Sequence, residues 1–362
     1  MSVEKRNNQI YQFLTNFLNN EVTLEFPNPF IVDEVEPLFE SKIWGHREVV
    51  LTVILARLID SKFKASKDFY ACNPRAIYEG PIRKALREYG IPHRKSGPLN
   101  VAKNESRLDK NWAQDKRGGD LAMNVVNIVN KIEKVDNKKL EKFAAAYITR
   151  YKQEAVKIKE LEVEISPQEN PELISQLCIK MIDSVPDGGS TAQVIIGLCM
   201  EAEINDKKSK VEIYGHEDSV STTNTTSKKP GDIIQKINDE TEIIYEITTK
   251  KFNQDRLIES HEAVTAYKEN QKEVFVVCRS EDVPETLDRN ESSNLILAST
   301  EYQGLIYYFV NIYEYIRYVT FILSPSGRRN LNELLALHVN EVNTSKKVKK
   351  YYKKWHEERI NL

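Results

Sequence analysis

Residues 230–250 read PGDIIQKINDETEIIYEITTK, and this stretch decides how the chain is read. Two apolar runs, GDIIQKI at 231–237 and EIIYEITTK at 242–250, flank the polar turn NDET. Runs of this length rich in isoleucine and bounded by polar turn residues predict two strands joined as an antiparallel hairpin. The second run alternates. Ile243, Tyr245 and Ile247 fall on one face, and Ile244, Glu246, Thr248 and Lys250 on the other. An acid, a hydroxyl and a lysine thus share one side of a strand at steps of about 7 Å. Asp232 opens the first strand, where the antiparallel turn brings it beside the end of the second.

Two carboxylates and a lysine around one point suit Mg²⁺, a hard cation that takes oxygen ligands and keeps several waters. Such a site supports metal-assisted hydrolysis of a phosphodiester, with a lysine steadying charge in the transition state. A further acid is expected from the preceding helix, where LCMEAEI puts Glu201 one turn beyond Leu198. The plain alternative is that Glu246, Thr248 and Lys250 form the wet face of an ordinary strand.

Outward from the hairpin, VEIYGH (211–216) reads as a strand, followed by the polar loop HEDSVSTTNTTSKKPG. Downstream, 253–269 reads as an amphipathic helix and EVFVVC (273–278) as a short buried strand. The order helix, strand, strand, strand, helix, strand is an α/β unit set in helical material. Helices are expected at 4–19, 34–60, 75–89, 106–135, 138–160, 171–184 and 189–203, with Pro74 at a first helical position and Gly90 as a stop. The aromatic-rich segment from Tyr302 to Leu323 reads as helix too. Three domains follow: a helical one at 1–165, an α/β core at 170–300 and a helical extension at 301–362. The fold class is α+β or α/β, a mixed sheet flanked by helices.

At roughly 150 residues per domain, 362 residues accommodate two or three. Apolar residues make up 40% and charged residues 29%, too apolar for a disordered chain and too charged for a membrane protein. No apolar run reaches the roughly 18 residues of a membrane span, and the polar start MSVEKRNNQ lacks a secretory pattern. Cys72, Cys178, Cys199 and Cys278 form no C-x-x-C pair, which disfavours a zinc site or a disulfide framework. A reducing, cytoplasmic setting is expected. His46, His93, His216 and His261 have no metal-ligand spacing, and no phosphate-binding glycine loop occurs.

The net charge of −2 hides an uneven distribution. Between Ser61 and Arg117 fourteen Lys/Arg stand against six Asp/Glu. Near the end, Lys346, Lys347, Lys349, Lys350, Lys353 and Lys354 surround Tyr351, Tyr352 and Trp355. Two basic zones on an acidic remainder suit a protein that clamps a polyanion. A solvated helix face is the simpler reading of the C-terminal run.

Pro230-Gly231-Asp232 followed by Glu246-x-Thr248-x-Lys250 resembles the PD-(D/E)XK nuclease motif, with Thr248 where that family carries lysine and Lys250 one strand step further. The stretches GHREVVLTVILARLID, FYACNPRAIYEGPIRKALREYGIPHRKSGPLNVAKN and LDKNWAQ resemble type II restriction endonucleases of the SacI type. The resemblance implies a PD-(D/E)XK-like core with a large helical N-terminal domain. It implies a Mg²⁺-dependent, sequence-specific endonuclease that cuts double-stranded DNA to leave 5′-phosphate ends. A homodimer on a short palindrome is expected, with a companion DNA methyltransferase acting on the same sequence. Under it Asp232 and Glu246 bind the metal and either Lys250 or Thr248 assists. Arg75, Arg83, Arg87, Arg94, Lys95 and Lys103 contact DNA, Arg94 and Lys95 reading guanine. The alternatives are a non-catalytic DNA-binding protein and a repair or junction nuclease of the same fold.

Overall fold

The computed structural model describes residues 2–20, 23–114, 118–216, 229–238, 240–267 and 271–360. It divides into two compact units, Met1–Glu160 and Leu161–Leu362.

The first unit is helical. Its centre is a helix whose residues from Gly45 to Ala56 are all buried, as an apolar run that reaches round the whole helix requires. Around it pack α1 (Val3–Asn19), α2 (Val32–Glu40), the central α3 (Gly45–Ile59), α4 (Gly119–Ile132) and α5 (Asn137–Lys159). The single helix expected over 34–60 is therefore two. Ser41 ends the first in an extended conformation, and its Oγ accepts the Ile43 N–H at 2.9 Å, a local bond that competes with helix continuation. The helix expected over 106–135 is likewise divided, into Lys110–Gln114 and α4. The helix after Pro74 widens into a π turn at Tyr78–Ile82, because Pro81 inside it has no N–H to give. It closes at Gly90, whose φ of +60° suits glycine.

The second unit is α+β. Its helices and strands are α6 (Pro171–Ser184), α7 (Ser190–Lys207), β1 (Glu212–Tyr214), β2 (Ile233–Ile237), β3 (Glu240–Ile247), α8 (Gln254–Tyr267), β4 (Glu273–Cys278), β5 (Ile296–Tyr302), β6 (Leu305–Asn311), α9 (Ile312–Ile322), α10 (Pro325–Asn340) and α11 (Lys346–Ile360). The six strands form one mixed sheet in the order β1-β2-β3-β4-β6-β5. The β1–β2, β2–β3 and β5–β6 pairs are antiparallel, and β3–β4 and β4–β6 are parallel. One face carries Ile233, Ile247, Val277 and Val310 against α6, α7, α9, α10 and α11. The other carries Ile244, Val274, Val276, Tyr307 and Phe309 against Phe252 and Val264 of the α8 region.

The helix expected from Tyr302 onward is corrected: Leu305–Asn311 is a strand, so the sheet runs past residue 300. Gln303 (φ +48°) and Gly304 (φ +84°) form a two-residue turn between β5 and β6, and positive φ at both central positions is what a tight hairpin requires. Leu305, Tyr307 and Phe309 then alternate into the core. Helix starts only at Ile312, where Asn311 Oδ1 caps the Tyr313 N–H at 3.0 Å. Among the described residues no helix is long and apolar enough to cross a membrane.

Candidate active site

The hairpin brings Asp232 to the end of β3 that carries Glu246. The paired register ends at Ile233 opposite Tyr245. The approach depends on Gly231, where a Cβ would lie 2.7 Å from Ile244 Cγ2 and 2.8 Å from the Tyr245 carbonyl oxygen. The Asp232 N–H donates to that carbonyl at 2.9 Å. Its carboxylate turns back to β3, Oδ2 accepting the Ile247 N–H at 2.8 Å.

Both acids sit in low-dielectric surroundings. Glu246 is 4% exposed, and its Oε1 accepts from Ser260 Oγ at 3.2 Å. Burial raises the pKa of Asp232 above the ordinary aspartate value. The Ile247 hydrogen bond and the charges of Arg256 and Lys229 work against that rise. Tyr307, on the same sheet face, is pushed up to about 12 by burial, with the charge of Glu246 adding to it.

Thr248 is also buried. Its Oγ1 accepts from the Lys250 N–H at 3.1 Å and from the Arg256 guanidinium at 2.5 Å. Arg256 and Ser260 are four residues apart on α8, so one helix face supplies both contacts to β3. Sequence reading missed Arg256. On α8 it lies one turn before Ser260 and two before Val264, both buried.

Lys250 does not join this group. The chain turns after Thr248, and Lys250 lies exposed in the wall of a cleft of about 200 Å³ with Thr249, Arg279 and the Gly188-Gly189 turn. Glu201 Oε2 lies 3.5 Å from His216 Nε2. His261 packs edge-to-face on Tyr302, ring centroids 5.4 Å apart. Among the described residues no three His, Cys, Asp or Glu side chains gather as a ligand set. The four cysteines are free and buried. The polar loop expected to contact DNA falls on 217–228, outside the described residues.

In the first unit, Arg75, Arg87, Arg94, Lys95 and Lys103 are exposed and Arg83 is half-buried. Arg75 is 3.8 Å from Glu79. The loop carrying Arg94 is fixed from beneath. Buried Glu48 accepts the Arg94 N–H at 2.6 Å and the Tyr78 hydroxyl at 2.8 Å. The guanidinium carbons of Arg47 and Arg94 lie 4.3 and 4.5 Å from the Trp44 ring centroid. Gly97 (φ +52°) leaves room for the Tyr78 ring, which a Cβ would meet at 2.1 Å.

The C-terminal lysine run is not all surface. Lys349 is fully buried, its Nζ donating to the Val339 carbonyl at 2.6 Å, and burial lowers it to about 8. Tyr352 and Trp355 on the same helix also belong to the core.

No protein-family model matches the chain, and a search of curated proteins finds no match.

Proposed function

We propose that the protein is a Mg²⁺-dependent endonuclease of the PD-(D/E)XK type that hydrolyses both strands of DNA at a specific sequence, as type II restriction enzymes do. The observation that carries this reading is the bond of the Asp232 carboxylate to the Ile247 N–H, next along β3 from buried Glu246. The order α7, β1, β2, β3, α8, β4 around them supports the nuclease-like core.

The donor set fits a hard cation in kind. Both side chains offer carboxylate oxygens, the donors a hard cation takes. Asp232 and Glu246 would hold Mg²⁺, which when bound supplies Lewis-acid polarisation of a phosphoryl oxygen. The Ile247 N–H and the Ser260 hydroxyl fix one oxygen of each carboxylate, so the remaining oxygens are oriented in advance. Hydrolysis consumes one water. Its oxygen bonds to phosphorus, the bond to the 3′ oxygen breaks, one proton leaves to solvent and another returns to the 3′ oxygen. The products are 5′-phosphate and 3′-hydroxyl ends.

The exposed arginines and lysines of the first unit would take phosphate contacts and, at Arg94 and Lys95, base contacts. We further propose a cytoplasmic homodimer on a palindromic site, paired with a methyltransferase of the same specificity. Digestion of plasmid DNA with Mg²⁺ tests the reading. Discrete fragments are expected, lost in Asp232→Ala and Glu246→Ala with DNA binding retained. A smear points to a structure-directed or non-specific nuclease. Uncut DNA that is nevertheless tightly bound points to a DNA-binding protein without catalysis.

A further inference from the structure

Resting on the nuclease reading above, we propose that Arg256 supplies the fixed positive charge of this site, standing in from helix α8 for the lysine that position 248 lacks.

The place to be filled is defined by β3. Thr248 lies just past β3, its N–H still donating to the Val277 carbonyl at 3.0 Å, and two residues after Glu246 it offers only a hydroxyl. Arg256 reaches that hydroxyl at 2.5 Å, and one turn on along the same helix Ser260 reaches Glu246 at 3.2 Å. One cation therefore touches the motif at Thr248, two residues from Glu246.

The position is built rather than incidental. Asn253 Oδ1 caps α8 by accepting the Arg256 N–H at 3.1 Å. The guanidinium carbon lies 5.2 Å from the ring centroid of Phe252. Phe252 is buried, and its own N–H donates to the Asp282 carbonyl at 2.9 Å. One turn further on, Ser260 ties the same helix face to Glu246. The helix is thus pinned to β3 on either side of the carboxylate, which fixes where the arginine head can go.

The lysines that follow β3 are engaged. Lys250 lines a cleft with Arg279. Lys251 pairs with Glu285 at 2.5 Å, both side chains well exposed. A guanidinium has five N–H donors in a planar fork, and one of them goes to Thr248. The rest of that fork matches the oxygens of a phosphate.

The substitution changes the chemistry in one respect. Arginine stays charged at any pH the protein survives, so it stabilises developing negative charge and donates no proton. The proton on the departing 3′ oxygen comes from water. A lysine in the same place would lose its charge near pH 10.4, so the parent lacks an alkaline limb that Arg256→Lys acquires.

The test uses the full chain and three variants, R256A, R256K and R256A/T248K. Single-turnover cleavage is measured with Mg²⁺, and DNA binding with Ca²⁺. Arg256→Ala is expected to slow cleavage by about 100-fold, the usual cost of removing one charge-stabilising donor, with binding within about threefold. Free guanidinium should recover part of the rate in R256A, and the lysine introduced by T248K should recover at least about tenfold. Cleavage by R256A at the parent rate overturns the proposal, as does a loss that neither guanidinium nor T248K repairs. A parent that cuts no DNA under any condition removes the nuclease reading instead. The placement of Arg256 is then decided by urea unfolding in a double-mutant cycle with T248V. Coupling between the two substitutions is expected, and simple additivity overturns the placement.

Discussion

Asp232 Oδ2 accepts the backbone N–H of Ile247 at 2.8 Å, one residue past Glu246. The acid at the start of one strand is thereby fixed to the end of the next. Its carboxylate cannot swing to solvent without giving up that bond, and its environment penalises the charge it would carry there.

The first prediction follows from that penalty. Burial raises the Asp232 pKa, so the folded protein holds this proton more tightly than the unfolded chain. The group's contribution to stability is fullest below the ordinary aspartate value, about 3.9. It is lost as pH rises through the folded value. At pH 7 the parent bears the cost of a charged Asp232. Asp232→Asn keeps an oxygen for the Ile247 N–H and removes the charge, so Tm should rise by a few degrees at pH 7 and stay level near pH 3. Millimolar Mg²⁺ should raise the melting temperature of the parent and leave the variant unmoved. An equal response of the two proteins to Mg²⁺ would sink the metal assignment.

A second prediction concerns the interior of the C-terminal helix. Burial lowers Lys349 from 10.5 to about 8. The unfolded chain binds this proton more tightly, so the penalty is fully present below pH 8. It is relieved as pH rises from about 8 towards 10.4. At about 1.36 kcal/mol per pH unit over that window the cost approaches about 3 kcal/mol. The bond to the Val339 carbonyl offsets about 1 kcal/mol of it. Lys349→Met should stabilise the protein at pH 7 by about 1–2 kcal/mol in urea unfolding, and the advantage should vanish near pH 10.5. A gain that persists at high pH would mean that packing, not charge, is the cause.

Much of the second unit was legible because alternation and turn chemistry there are local. EVFVVC forms a strand over the expected residues, and the bond of Asp232 to the end of β3 follows from an antiparallel hairpin with a short turn. The β5–β6 hairpin was not legible, since its turn is Gln303-Gly304 rather than the Asn-Gly or Asp-Gly that announces such a bend. Its aromatic residues suit strand as well as helix. Arg256 was missed because its contact with Thr248 depends on how a helix docks on a strand, which no spacing within either element encodes. Lys349 was read with its run as solvated, although its helix turns that position inward.

The third prediction tests the buried acid beneath the Arg94 loop. Glu48 is sealed from solvent and burial raises its pKa, against its hydrogen bonds to Arg94 and Tyr78 and the charge of Arg47. Glu48→Ala leaves the Arg94 N–H without its acceptor, the Tyr78 hydroxyl with the Arg94 carbonyl alone, and Arg47 without its acidic neighbour. The cost should be about 3–5 kcal/mol, as for breaking a buried charged pair. It is read as a lowered urea midpoint at unchanged slope. A loss below about 1 kcal/mol would show that the network does not hold this loop.

The last prediction separates Lys250 from the chemistry. Its position two residues past Thr248 would allow a long side chain to reach back along a straight strand, but the strand ends at Ile247 and the Thr248 hydroxyl binds the Lys250 N–H in a tight turn. The turn delivers Lys250 to the cleft where Arg279 is already held by Asp282 at 2.7 Å and by the Thr249 carbonyl at 2.8 Å. A lysine there can hold a DNA phosphate near the scissile one, which strengthens binding of substrate and transition state alike. Such a residue affects affinity and not the rate at saturation. Lys250→Ala should therefore weaken DNA binding several-fold and reduce its salt dependence by about 0.9 in the log–log slope, one phosphate contact. The single-turnover rate at saturating DNA should stay within about twofold of the parent. If that rate falls by about 100-fold while affinity is unchanged, Lys250 touches the reacting phosphate after all, and the turn must straighten when DNA binds.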